Sequence, residues 1–134
     1  MVVLVATIFY DLFNYIPGKG DKIMEVMFEI PDFNVGTYGV RGVSANNIES
    51  DGRRTTLEIT FNVDVRYDWF NATFLVETNE PLEVGPINID SAKLIKVDYF
   101  KNGTRVEPST RTINNIKDRT NLFLRPIRIK TIKE

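Results

Sequence analysis

From Thr55 to Tyr67 the chain alternates strictly between apolar and polar positions. Leu57, Ile59, Phe61, Val63, Val65 and Tyr67 fall on one parity, and Thr56, Glu58, Thr60, Asn62, Asp64 and Arg66 fall on the other. Period-two alternation predicts a long β-strand with one buried and one wet face. The wet face excludes the centre of a parallel sheet covered on both sides. "KIMEVMFEI" repeats the pattern with Met24, Val26, Phe28 and Ile30, and "NATFLVET" repeats it with Ala72, Phe74 and Val76. "TYGVRGVSA" is β-prone but rich in glycine, so it is expected to bend or bulge. "AKLIKVDYF" places Ile95, Val97 and Tyr99 on one face, and "TRVEP" follows it. "NLFLRPIRIKTI" reads as a final strand whose parity shifts at Pro126, which belongs at an edge or a bulge. "STRTINNIKDRT" has room for a turn of helix.

Turn chemistry separates these runs. Ser50-Asp51-Gly52 precedes the long strand, and Glu80-Pro81 and Gly85-Pro86 bracket a short loop. Asn102-Gly103 sits between two β-runs and reads as a two-residue hairpin, because both central positions of that turn need positive φ. About seven strands at this spacing predict an antiparallel, immunoglobulin- or fibronectin-like β-sandwich over residues 21–134.

The opening stretch, "MVVLVATIFYDLFNYIPGKG", reads differently. Leu4, Val5, Ile8, Phe9, Leu12, Phe13 and Ile16 form one stripe at helical spacing, and Pro17-Gly18 supplies a stop. Residues 1–20 are therefore expected to be an apolar helix on a hinge. Sixteen helical residues reach about 24 Å, short of a ~30 Å hydrocarbon core, and Asp11 adds an insertion cost. A secretory signal fits less well, since there is no basic leader and no small-x-small cleavage site. The expected roles are a helix packed on protein, or an anchor lying in a membrane surface.

Composition narrows the chemistry. The chain has no Cys and no His, which removes thiol and imidazole catalysis, disulfides and the common zinc and copper sites. No cofactor, metal or small-molecule substrate is expected, and an enzyme is disfavoured. The net charge of −1 conceals a division. Acids dominate residues 1–90, whereas Lys and Arg dominate residues 91–134 and the tail "RPIRIKTIKE". Either the two parts neutralise each other across a sheet, or Arg125, Arg128 and Lys130 offer a basic face to a partner. A protein partner or a second copy is the expected one, a membrane surface comes next, and nucleic acid is disfavoured.

Other motifs are weaker. The glycines of "GTYGVRG" lack the spacing and context of a dinucleotide fingerprint, and "GKGDK" lacks the Ser/Thr of a phosphate loop. Asp64, Asp68, Glu77, Glu80, Glu83 and Asp90 lie close in sequence, where paired carboxylates could do glycosidic chemistry or hold calcium. Asp64, however, alternates along a wet strand face. Tyr67, Trp69 and Phe70 form an aromatic knot, expected as core packing with a partner-facing patch as the alternative. Asn71-Ala72-Thr73 and Asn102-Gly103-Thr104 match the N-glycosylation pattern, and Asn102 is the better acceptor because a hairpin tip is exposed.

The order of "IPDFNVGTYGVRGV", "LEITFNVDVRYDWFN" and "INIDSAKLIKVDYFKNGTRV" resembles the water-stress and hypersensitive-response domain of late embryogenesis abundant type 2 proteins. The matching positions are Pro31, Phe33, Val35, Val40, Gly42, the Leu57–Val65 strand and Tyr99 to Gly103, within residues 30–107. The family's Asn-Pro-Asn after the long strand is replaced by Tyr67-Asp68-Trp69-Phe70. The resemblance implies a non-catalytic sandwich, tethered by an N-terminal hydrophobic helix and associated with membranes. These readings lead to a non-enzymatic module at a membrane, cell envelope or extracellular location, binding a protein or lipid surface. The alternative is an oligomeric structural subunit of a virion or filament, similar to a capsid protein or pilin.

Overall fold

The computed structural model describes residues 2–10, 22–30, 34–35, 37–50, 53–81, 83–125 and 127–133. Among the described residues ten strands follow in chain order: β1 (Val2–Tyr10), β2 (Lys22–Ile30), β3 (Asn34–Val35), β4 (Tyr38–Ser50) and β5 (Thr55–Val65). Then come β6 (Asp68–Thr78), β7 (Gly85–Pro86), β8 (Ile89–Lys101), β9 (Thr104–Val106) and, after one helix, β10 (Arg128–Lys133). All pairings are antiparallel. One sheet has the order β3-β4-β5-β6-β8-β9, and the other has β1-β2-β10-β7.

The long alternating run is β5, and it is paired on both sides. Its register with β6 runs without a break from Thr55↔Thr78 to Val65↔Asp68. Leu57, Ile59, Phe61 and Val63 of β5 and Phe70, Ala72, Phe74 and Val76 of β6 lose essentially all contact with solvent. Each large apolar side chain buried this way contributes about 1.5–3 kcal/mol. Helix α1 (Thr110–Thr120) and the 3₁₀ turn Asn121–Leu124 share this core through Ile116, Phe123 and Leu124. The Phe123 ring lies 5.7 Å from that of Phe61, which in turn meets Phe74 edge-on at 6.1 Å.

Helix α1 has three turns, where the sequence suggested one. Ser109 starts it, because its Oγ accepts the Thr112 N–H at 3.2 Å. Lys117 and Arg119 occupy the last turn, where the helix dipole favours cations.

Three expectations are corrected. Val2–Tyr10, which carries Leu4, Val5, Ile8 and Phe9, is a strand and not the first half of a docking helix. Its Val, Thr and Ile residues are β-branched and suit a pleated surface. Pairing with β2 from Val2↔Ile30 to Tyr10↔Lys22 satisfies the backbone groups on its inner side. Leu12, Phe13, Ile16 and the Pro17-Gly18 hinge lie outside the described residues. Second, "NLFL" is a 3₁₀ turn, and strand begins only at Arg128. Phe123 and Leu124 are both buried there, where a strand with one wet face would bury only one of the two. Third, Ile95 does not share a face with Val97 and Tyr99. The register jumps from Thr73↔Lys96 to Phe74↔Leu94, so Ile95 is bulged out and 44% exposed.

The glycine-rich strand does bulge, between Val40 and Gly42 and again before Glu49. The acidic and basic parts of the chain also meet in register. β10 runs beside β2 with Arg128 opposite Glu29 and Lys133 opposite Glu25, and Lys130 stands at a register shift.

Candidate functional site at the hairpin end of the large sheet

Three connections project from one end of the large sheet. Val35 pairs with Tyr38, Tyr38 with Val65, and Val65 with Asp68. Trp69 pairs with Phe100, and Lys101 closes on Thr104. The turn at Arg66-Tyr67 therefore lies beside the turn at Asn102-Gly103, with Thr37 on the other side.

The Asn102-Gly103 turn is the expected one. Both residues have positive φ, 51° and 78°, which matches the twist of the strands they join. The Arg66-Tyr67 turn is unusual. Arg66 holds φ 58°, a left-handed conformation that costs a residue with a Cβ about 1–2 kcal/mol. Tyr67 does not continue the buried parity of β5; it is 91% exposed at the tip. The aromatic knot thus divides three ways. Tyr67 faces solvent, Trp69 stacks in parallel on Phe100 at 4.0 Å, and Phe70 is core.

A side-chain chain ties this tip to the body. The Tyr99 hydroxyl donates to Asp68 Oδ2 at 2.9 Å, directly after the turn. The Tyr99 ring stacks on Phe70 at 6.0 Å, Phe70 meets Tyr38 at 5.5 Å, and the Arg119 guanidinium sits 5.1 Å above the Tyr38 ring. Burial, then the hydrogen bond and the charge of Asp68, push the Tyr99 phenol up to about 12. Burial also raises Tyr38, and the positive charge of Arg119 partly opposes it. Both phenols are therefore neutral at ordinary pH, and the hydrogen bond that Tyr99 donates to Asp68 fixes the base of the tip.

Charges around this end are sorted. Asp64 pairs with Arg41 at 3.3 Å, and Asp98 pairs with Arg105 at 2.8 Å and Lys96 at 3.6 Å. Arg66 and Lys101 are exposed and have no ion pair among the described residues. Behind the tip, the open sheet face carries a cross-strand ladder of Thr60–Thr73 and Asn62–Asn71 hydrogen bonds, each 2.8 Å. Asn71 sits within that ladder in mid-strand, whereas Asn102 and Thr104 are exposed at a turn. Of the two sequons, the second is the more exposed in the folded chain.

The acids close in sequence are separated in space. Asp64 and Asp68 belong to the hairpin end, while Glu77 lies nine residues along β6, about 30 Å away. At that far end Arg54 reaches both Glu77 and Asp90, at 3.6 and 3.8 Å, and Asn88 donates to Glu80 at 3.0 Å. Among the described residues no group of acids is placed to hold a metal ion. A cleft of about 510 Å³ opens there between Ile87, Ile89 and Asp90 on one side and Asn121, Leu124 and Arg125 on the other. Arg125 is thus on its rim, and Arg128 is exposed at the start of β10, remote in sequence from the hairpin turns. No helix among the described residues is long and apolar enough to cross a membrane.

Sequence reasoning did not single out Arg66 or Lys101. The signal for Arg66 was present: Val65 and Asp68 flank two residues in a position where paired strands must turn. No family model matches this chain, and no curated protein and no solved structure matches it either.

Proposed function

We propose that this protein is a non-enzymatic β-sandwich module that works by binding a protein or lipid surface, and that the hairpin end of its large sheet is the contact end. The exposed Tyr67 carries this reading. A fully solvated aromatic at the tip of a turn gains nothing for folding, and Arg66 beside it holds a strained backbone. Strain of this kind persists where surrounding structure enforces it, and it concentrates at functional sites. Arg and Tyr are also residue types enriched in binding hot spots.

The carboxylates nearest Tyr67 support binding over catalysis, since Asp64 and Asp98 are ion-paired and Asp68 accepts from Tyr99. The resemblance to the water-stress and hypersensitive-response domain points the same way. The assembling-subunit alternative has less support. The free edge of β8 is bulged at Ile95 and carries Lys93 and Lys96, features that blunt strand-to-strand addition.

The test is a photo-crosslinking side chain at position 67 in the native cell, with the same probe at Ile95 and Val84 as exposed controls. Position 67 should give discrete protein or lipid adducts that the controls do not. Equal labelling at all three positions would remove the hairpin end from consideration.

A further inference from the structure

We infer that the surface this end fits is an anionic lipid headgroup layer, with Tyr67 seated among the headgroups and Arg66 and Lys101 on the phosphates. The inference rests on the hairpin end being the contact end, and it adds the partner class.

Three observations favour lipid over protein. The first is the distribution of charge. Arg66 and Lys101 stand exposed and without ion pairs among the described residues, while each of the nearby acids has a partner. Asp64 is held by Arg41, Asp68 by the Tyr99 hydroxyl, and Asp98 by Arg105 and Lys96. The tip residues Arg66-Tyr67 and Lys101-Asn102-Gly103 thus carry two cations and no acid, although the whole chain carries −1. Anionic headgroups attract cations brought within a Debye length of them.

The second is the scarcity of apolar surface. A stable protein interface buries about 800 Å² per partner around an apolar centre. The described residues of these turns are Thr37, Arg66, Tyr67, Asn102 and Gly103, and Tyr67 is their one large apolar group. Trp69 and Phe100 cover one another at 4.0 Å and add little. A headgroup layer asks for less: an amphipathic ring at headgroup depth with cations beside it.

The third is shape. The register sets the Arg66-Tyr67 and Asn102-Gly103 turns side by side, so ring and cations advance as one blunt edge. Such an edge meets a plane more readily than it fills a pocket. Each cation near the surface multiplies partitioning about fivefold. The attachment is thus weak, reversible and sensitive to salt.

Co-sedimentation of the full chain tests this, using vesicles of phosphatidylcholine alone or with about 30% phosphatidylserine. Trp69 is the sole tryptophan and lies two residues from Tyr67, so its emission reports docking. The chain should sediment with anionic vesicles at about 50 mM salt, release at about 0.5 M, and ignore neutral ones. Arg66→Glu with Lys101→Glu should reduce partitioning at least tenfold, and Tyr67→Ser should abolish the Trp69 shift while urea midpoints hold. No retention on anionic vesicles, or retention indifferent to both variants, overturns the lipid assignment. Protein adducts at position 67 without vesicle binding would leave the contact end in place and exclude lipid as its partner.

Discussion

Tyr99→Phe tests the base on which the hairpin end rests. The substitution removes one hydroxyl, and with it the 2.9 Å bond to Asp68. A hydrogen bond to a charged acceptor is worth about 1.5–3 kcal/mol, and the half-exposed position of Asp68 lets water replace part of it, leaving about 1 kcal/mol. For a domain of this size that corresponds to about 3–5 °C in Tm. The pH dependence is the sharper signature. Tyr99 is held neutral up to about 12 in the folded protein, whereas an unfolded tyrosine titrates near 10. Between those values the unfolded chain has released a proton that the native state keeps. The stability from this group is therefore fully present below about pH 10 and is lost as pH rises toward 12. The variant has no such group. The gap between wild type and Tyr99→Phe should be constant from pH 7 to 9 and close above pH 10. Urea midpoints read by Trp69 fluorescence measure both proteins, and subtraction cancels the lysines that titrate in the same range. A gap under about 0.3 kcal/mol at neutral pH, or one that does not change with alkalinity, would refute the reasoning.

Other consequences follow from single positions. Phe123→Ala should cost about 3–5 kcal/mol in urea denaturation, because it empties a solvent-free site against Phe61; a loss below about 1 kcal/mol would mean the 3₁₀ turn does not close the core. Arg66→Gly should stabilise the fold by about 1 kcal/mol by relieving the positive φ, while weakening surface binding; a loss of stability would show that the turn is unstrained. Gly103→Ala should destabilise by about 1–2 kcal/mol through φ 78° alone, since nothing lies within 4 Å of the added methyl, so an unchanged midpoint would contradict that turn geometry. Expressed through a glycosylating secretory route, the folded chain should carry its glycan at Asn102, and Asn102→Gln should remove the mobility shift. A shift that survives in Asn102→Gln and disappears in Asn71→Gln would show that the ladder position is reached before folding.

Several elements can be read directly from residue order. The strands through Leu57–Val63 and Ala72–Val76 alternate in sequence and alternate in burial, because a pleated strand between water and a core imposes period two on its side chains. The Asn102-Gly103 turn is legible for a similarly local reason: few residue pairs tolerate two successive positive φ values. The opening stretch misled because its apolar residues satisfy a helical stripe as well as a strand. Pairing with β2, a partner distant along the chain, selects the strand for Val2–Tyr10.

The candidate site was partly legible. Tyr67 drew attention as an aromatic, but its parity placed it inside. It turns outward because β6 must fold back onto β5 after Val65, and that return is a matter of pairing between strands. The charge sorting was not legible at all. Asp64, Asp68 and Asp98 look like free acids in sequence, and their partners Arg41, Tyr99 and Arg105 come from other strands. Local alternation and turn chemistry are properties of neighbouring residues, so composition and order suffice for them. Which charges find partners, which ring is left in water and which turns stand together depend on contacts between distant segments, and those exist only once the sheets have formed.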